Sequence, residues 1–163
     1  MIRYRQFGLI VFCWLLMPVL FSSCKEKQKI SASRYNDLIV DEVQRATSRM
    51  TTFYSTTDGA ESLNALNSFL EASKDRISNL DSYRDDASLR DEGLKILDFY
   101  SGLCADKNQK LVDLTNGEYY SREDSVQTIR VLTDIVKESN RMNKSFTEIQ
   151  ERFAQEHGLL LVK

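Results

Sequence analysis

The chain has 163 residues, of which 22 are basic and 24 acidic, so its net charge is −2. Binding to nucleic acid through phosphates needs a basic patch, and this balance excludes nucleic acid as the expected partner. Three cysteines, one histidine and one proline leave few groups for metal or redox chemistry and few residues that break helices.

The first 24 residues are organised as a bacterial secretion signal. Arg3 and Arg5 precede the apolar run Phe7–Phe21, which Pro18 interrupts near its end. At about 1.5 Å per residue this run is too short to span the ~30 Å hydrocarbon core as a helix. A basic start, an apolar run of this length and two serines before Cys24 predict a signal peptide over residues 1–23 that is removed.

The end of this segment, Leu20–Cys24, resembles the lipobox of bacterial lipoproteins, with Phe21 where that box usually has Leu and Ser23 where it usually has Ala or Gly. The resemblance implies that Cys24 receives a diacylglycerol on sulfur and an acyl chain on its new amine, so that lipid holds the chain at a membrane. Lys25 agrees with sorting to the outer membrane, because an aspartate at that place retains lipoproteins at the inner membrane in some bacteria. The alternatives are an uncleaved anchor and an ordinary secretory signal with an incidental cysteine.

Residues 24–31 follow as a charged tether without helical periodicity. Its seven residues after the cysteine reach at most about 25 Å when extended. We therefore expect the folded domain, residues 32–163, to stay close to the membrane.

The first two amphipathic segments of that domain are predicted from Ser31 or Ser33 to about Tyr54, and from Asp58 to about Tyr83. Their apolar positions recur at spacings of three and four, the period of a helix with one buried face. The first stripe comprises Tyr35, Ile39, Val43, Ala46, Met50 and Phe53, and the second Leu63, Leu66, Leu70, Ser73, Ile77 and Leu80.

A third segment is predicted from Asp86 or Ser88 to Gly117, and a fourth from Ser121 to about Glu156. Their stripes comprise Leu89, Ile96, Leu97, Tyr100, Leu103, Cys104, Leu111 and Leu114, and then Val126, Ile129, Leu132, Ile135, Val136, Met142, Phe146, Ile149 and Phe153. Gly93 and Gly102 inside the third imply close packing or a bend. Short connections predict an all-α, antiparallel up-down-up-down four-helix bundle, with an apolar C-terminal tail along it.

The residues that metal or catalytic sites need are nearly absent. After Cys24 the only cysteine is Cys104 and the only histidine is His157, which excludes zinc sites of the Cys/His type and the di-iron bundle pattern. We expect Cys104 to be a small buried side chain and His157 to interact with the end of its helix. An acidic group near the second connection is interpreted as a solvated corner rather than a cation site: Asp81, Asp85, Asp86 and Asp91. The chain is therefore predicted to lack enzymatic activity, catalytic residues, a metal and a cofactor.

Three functions stay open, in descending order: a binding or structural module, a carrier of a small apolar ligand between the helices, and an envelope enzyme with a carboxylate-only site. In an up-down bundle tethered at Cys24, residues 115–121 lie at the end away from the membrane, so Tyr119 and Tyr120 are candidate contacts for a protein partner. The stretch Tyr35–Val40 resembles the start of an uncharacterised family of small spirochaete surface lipoproteins, and this resemblance implies exposure at the cell surface.

Overall fold

A computed structural model describes residues 30–55, 59–115 and 121–161 of the chain. The chain divides into two units, Met1–Ile30 and Ser31–Lys163, and every helix described below belongs to the second. These helices are α1 (Ala32–Ser55), α2 (Gly59–Ser78), α3 (Ser88–Leu103), a π-helical turn (Cys104–Asn108), α4 (Gln109–Thr115) and α5 (Arg122–Glu156). Because α3, the π turn and α4 follow each other without a break, the described ranges contain four helical segments. No strand occurs in the described ranges, and the prediction of an all-α fold is confirmed.

Helix α1 matches the sequence prediction along its whole length. The backbone amide of Arg34 donates to the hydroxyl of Ser31 (3.2 Å), so Ser31 rather than Ser33 is the cap. All six residues of the predicted stripe are buried. The stripe also contains two buried polar residues that were not predicted, Asn36 and Glu42.

Helix α2 ends at Ser78, and its predicted extension to about Tyr83 is wrong. The side chain of Asn79 donates to the carbonyl of Asp75 (2.7 Å), which occupies an acceptor of the last turn. Arg84 and Asp85 have positive φ, and a pair of 2.9 Å backbone hydrogen bonds joins Tyr83 to Asp86. Consecutive left-handed residues cannot continue a right-handed helix. The predicted cap at Asp58 lies outside the described residues.

The third segment begins at Ser88, whose amide donates to the carboxylate of Asp86 (2.8 Å). Its predicted end at Gly117 lies outside the described residues. A methyl group added to Gly93 would stand 2.8 Å from Ile39 Cγ2, whereas one added to Gly102 would have no neighbour within 4 Å. Close helix packing is therefore confirmed at Gly93. It is not found at Gly102, where the alternative of a bend stays a prediction. The π-helical turn two residues after Gly102 was not predicted.

Helix α5 begins with the predicted capping box. The amide of Asp124 donates to the Ser121 hydroxyl (3.1 Å), and the amide of Ser121 donates back to the Asp124 carboxylate (3.0 Å). Ile135, Phe146 and Phe153 are buried as predicted. Three other members of the stripe are exposed, which corrects the prediction for the N-terminal half of the helix: Val126, Ile129 and Val136.

Helix α3 packs against α1, α2 and α5 and holds the core together. At the other end of α5, Gly158 has φ 70°, and Leu159 turns back so that its amide donates to Ala154 (2.8 Å). The Leu159 side chain packs against the core, as predicted. Leu160 is 97% exposed, so the prediction that the tail is covered by the bundle is wrong there.

Candidate functional site

Three of the residues singled out from the sequence cannot be located in the described structure. Cys24, Tyr119 and Tyr120 lie outside the described residues. Cys104, His157 and the acidic group around Asp86 lie inside them. The other candidate groups are polar side chains that the fold buries or brings together.

Glu42 on α1 is buried and bound on both of its carboxylate oxygens. Arg76 of α2 donates to Oε1 (2.9 Å) and Oε2 (2.8 Å), and Arg45 adds a third bond to Oε1 (2.9 Å). Burial alone would raise the pKa of Glu42, but the hydrogen bonds from Arg76 and Ser73 and the two guanidinium charges outweigh it and lower that pKa. The carboxylate stays ionised at neutral pH, so it joins α1 to α2 and has no proton to give as a general acid.

Glu92 on α3 is the second buried carboxylate. The hydroxyl of Ser145 on α5 donates to it, and so does the ammonium of Lys95 (2.9 Å). Burial again acts to raise the pKa, and the bonds from Ser145 and Lys95 lower it overall. Glu92 fastens α5 to α3 and is ionised for the same reason as Glu42. The two buried carboxylates lie on different helix interfaces and do not form a pair.

Three polar side chains at the π-helical turn are linked by hydrogen bonds. The hydroxyl of Tyr54 donates to the side-chain oxygen of Asn108 (2.9 Å), and the amide of Asn108 donates to Sγ of Cys104 (3.3 Å). Asn108 and Cys104 are buried. Burial raises the pKa of the Cys104 thiol, which removes the thiolate that a nucleophile or a metal ligand needs. Cys104 is therefore the small buried side chain that the sequence predicted.

His157 lies at the end of α5 and contacts the turn between α2 and α3. Its Nε2 is 3.1 Å from Oδ2 of Asp86, and the carboxylate of the neighbouring Glu156 is close, with the three groups within 4.8 Å of one another. Hydrogen bonds from Ser88 and His157 lower the pKa of Asp86 against the opposing effect of burial. The acidic corner of the sequence prediction is thus partly built into the fold at Asp86.

The solvent side of α5 between residues 126 and 144 combines apolar and basic side chains. Val126, Ile129 and Val136 are 43%, 64% and 57% exposed. Four exposed basic residues lie beside them on the helix surface: Arg130, Lys137, Arg141 and Lys144. Lys144 lies 3.8 Å from Glu148, and in the described part of the chain the other three make no ion pair. We call these seven residues the outer face of α5.

Sequence reasoning missed Glu42, Glu92 and the contact of His157 with Asp86. A signal existed for Glu42, because it stands three residues after Ile39 and four before Ala46 and therefore on the buried stripe. For the His157 contact there was none, since it joins residues 71 positions apart.

No described helix has both the length and the apolar character that crossing a membrane requires. Comparisons with protein-family models, with curated proteins and with solved structures found no match for this chain.

Proposed function

We propose that this chain is a lipid-anchored protein of the bacterial cell envelope that binds a protein partner and catalyses no reaction. The anchor is proposed on the sequence of residues 1–24, with Cys24 as the lipidated residue. Two or three acyl chains, each contributing roughly 0.8 kcal/mol per buried CH₂, would hold the protein at the membrane. Lys25 favours the outer membrane as the destination.

We further infer that the four segments alternate in direction. Thr47 contacts Tyr100, and Tyr54 contacts Asn108, which supports a parallel course for α1 and the third segment. The opposite course of α5 is supported by the contact of Ser145 with Glu92 and by that of Glu138 with Lys107. On this arrangement the end of α4 at Thr115 and the start of α5 at Arg122 lie at the opposite end of the bundle from Ala32, where α1 begins.

The observation that carries the binding proposal is the outer face of α5. It starts five residues after Ser121, next in the chain to the candidate contacts Tyr119 and Tyr120. Exposed Ile129 and Val136 give area to a partner, and the basic residues beside them favour a partner that offers an acidic rim around apolar side chains. The burial and ionisation of Glu42 and Glu92 lend no support to a carboxylate-only active site.

The alternative function, a carrier of an apolar ligand, depends on a cavity beside Gly93, Ser73 or Gly102, and none of these three residues supports one. Gly93 leaves no room, because Ile39 fills the space beside it. Ser73 is buried, and its hydroxyl accepts a hydrogen bond from Arg76 (2.9 Å). Gly102 faces open space rather than a gap between helices.

Site-specific photo-crosslinking in cells of the source organism tests the binding proposal. A photoreactive residue replaces Ile129, and a matched control replaces Glu151, which is exposed on the same helix in its other half. We expect a discrete crosslinked protein from position 129 that is absent from position 151. It should disappear when Arg130 and Lys137 are changed to Glu or when both Tyr119 and Tyr120 are changed to Ala. The same products from both positions, or products that survive all these changes, would refute it.

The anchor is tested separately. Replacing Cys24 with Ser should move the protein from the membrane fraction to the soluble fraction and remove labelling by radioactive palmitate. Proteolysis of intact cells, compared with cells whose outer membrane is opened, then tells surface exposure from a periplasmic location. A Cys24→Ser protein that stays in the membrane fraction would contradict lipid anchoring.

A further inference from the structure

We propose that Asp86, Glu156 and His157 form a binding site for a zinc ion where the end of α5 meets the turn between α2 and α3. The site lies outside the outer face of α5 and does not depend on the proposed function. No ligand spacing in the sequence indicates it, because Asp86 is separated from the other two by most of α3, the π turn, α4 and α5.

The distances fit the ion. Zinc binds imidazole nitrogen and carboxylate oxygen at about 2.0–2.1 Å in a tetrahedral arrangement, which puts neighbouring ligand atoms roughly 3.4 Å apart. Nε2 of His157 and Oδ2 of Asp86 are already 3.1 Å apart. The carboxylate of Glu156, within 4.8 Å of both, belongs to an exposed side chain, so a small rotation brings it to the same spacing.

The two less exposed ligands are held in place by the fold. Oδ1 of Asp86 accepts from the amide of Ser88 (2.8 Å), which orients the carboxylate and leaves Oδ2 directed at His157. The imidazole of His157 packs against the ring of Tyr83 (4.9 Å between centroids) and that of Phe153 (4.4 Å). Outer contacts of this kind fix the orientation of metal ligands before the ion arrives.

The ligand set favours zinc over the other common divalent ions. Calcium and magnesium prefer sites made of oxygen alone, whereas imidazole suits zinc. Two guanidinium groups of this corner are engaged elsewhere. Arg90 pairs with Asp91 (2.9 Å) and donates to the carbonyl of Leu80 (3.0 Å), and Arg84 lies over the ring of Tyr83 (5.4 Å). Three protein ligands leave a fourth position for water.

Zinc titration of the untagged full-length mature protein in detergent tests the site, followed by calorimetry and by the NMR signals of His157. Because the chain has a single histidine, its ring signals need no assignment. We expect one equivalent to bind and the ring signals to shift. Loss of an outer-shell partner already costs a metal site about 10–100-fold in affinity, so His157→Gln, which removes a ligand, should weaken binding at least tenfold. Binding should also weaken as the pH falls, since the ligand is neutral imidazole.

Matched variants separate a built site from general attraction to acidic groups. Asp86→Asn removes a ligand yet keeps an oxygen for the Ser88 amide, and Asp85→Asn removes the same charge one residue away. Glu156→Gln and Glu151→Gln form a second pair. Both residues are exposed, so neither change should disturb folding. The proposal requires Asp86→Asn and Glu156→Gln to weaken binding and both controls to leave it intact. Equal effects within either pair, no shift of the ring signals, or wild-type affinity in His157→Gln would overturn it.

Discussion

The two halves of α5 belong to one uninterrupted helix, yet they meet very different surroundings. In the C-terminal half, Phe146 and Phe153 are buried, and Ser145 donates to the carboxylate of Glu92 on α3. In the N-terminal half, Ile135 is buried while Ile129 and Val136 face solvent. An amphipathic pattern therefore records which face of a helix is apolar, and the neighbouring elements decide how much of that face is covered.

The reason for the difference is the length of the helices. Tyr54 near the end of α1 contacts Asn108, and Lys107 next to it pairs with Glu138 of α5 (3.0 Å). Position 138 is thus level with the end of α1, and α5 continues for 16 residues in the N-terminal direction, to Arg122. The short helix α4 also contacts α5.

The strongest test of this contrast is truncation of one apolar side chain in each half. Phe153→Ala should lower the free energy of unfolding by about 3–5 kcal/mol, because it leaves a cavity among packed rings. Ile129→Ala should change it by less than about 0.5 kcal/mol, since that side chain is already in solvent. Urea unfolding followed by circular dichroism measures both. Similar losses at the two positions would mean that the halves do not differ in packing.

The third segment offers the same contrast with two glycines. Gly93→Ala should destabilise the protein by about 1–3 kcal/mol, because the new methyl group overlaps Ile39 where α3 touches α1. Gly102→Ala meets nothing and should stabilise by up to about 1 kcal/mol through helix propensity. Thermal unfolding of both variants is the measurement. Destabilisation of the same size by both would show that the close contact at Gly93 is not the cause.

A hydrogen bond at the π-helical turn tests whether the part of the molecule beside the N-terminal half of α5 contains a specific stabilising interaction. Tyr54→Phe leaves the buried oxygen of Asn108 without its donor and should cost about 1–2 kcal/mol. Tyr83→Phe is the control, because in the described structure the hydroxyl of Tyr83 makes no hydrogen bond. Urea unfolding compares the two variants. A Tyr54→Phe protein as stable as the control would mean that this hydrogen bond contributes nothing.

The smallest effect expected is a pH dependence of the free energy of unfolding. It comes from Glu92, which binds Ser145 in the C-terminal half of α5. The pKa of Glu92 is lowered in the folded protein from the ordinary value of 4.5, so its contribution is complete above that value and is lost as the pH falls through the folded pKa. We expect on the order of 0.5 kcal/mol, because solvent screens the exposed partner Lys95.

The measurement is the slope of unfolding free energy against pH below 4.5, compared between the wild type and Glu92→Gln. The slope, and not the absolute stability, carries the result, since Glu92→Gln also alters packing. Glu151→Gln should keep the wild-type slope. A Glu92→Gln protein with the wild-type slope would contradict a lowered pKa at Glu92.

The sequence predicted local features well and long-range features poorly. The stripe of α1 and the capping box at Ser121 follow from contacts within one or two turns, and both are confirmed. The turn after α2 depends on the left-handed residues Arg84 and Asp85, and neither residue type is one that predicts this conformation. The exposure of Ile129 depends on where α1 ends, and the contact of His157 with Asp86 depends on the whole fold. None of these three is encoded in the spacing of neighbouring residues.

The π-helical turn takes up one extra residue in the third segment. In this turn the buried positions advance in steps of four, from Tyr100 through Cys104 and Asn108 to Val112. Because a π turn holds one residue more than an α turn, a single deletion between residues 104 and 108 would restore an ordinary α-helix and leave Leu111 and Val112 facing the core. The same deletion in the α-helical part of α3 would instead rotate all that follows by about 100° and turn both residues out of the core. The third segment therefore tolerates the loss of one residue at this turn and nowhere else along α3.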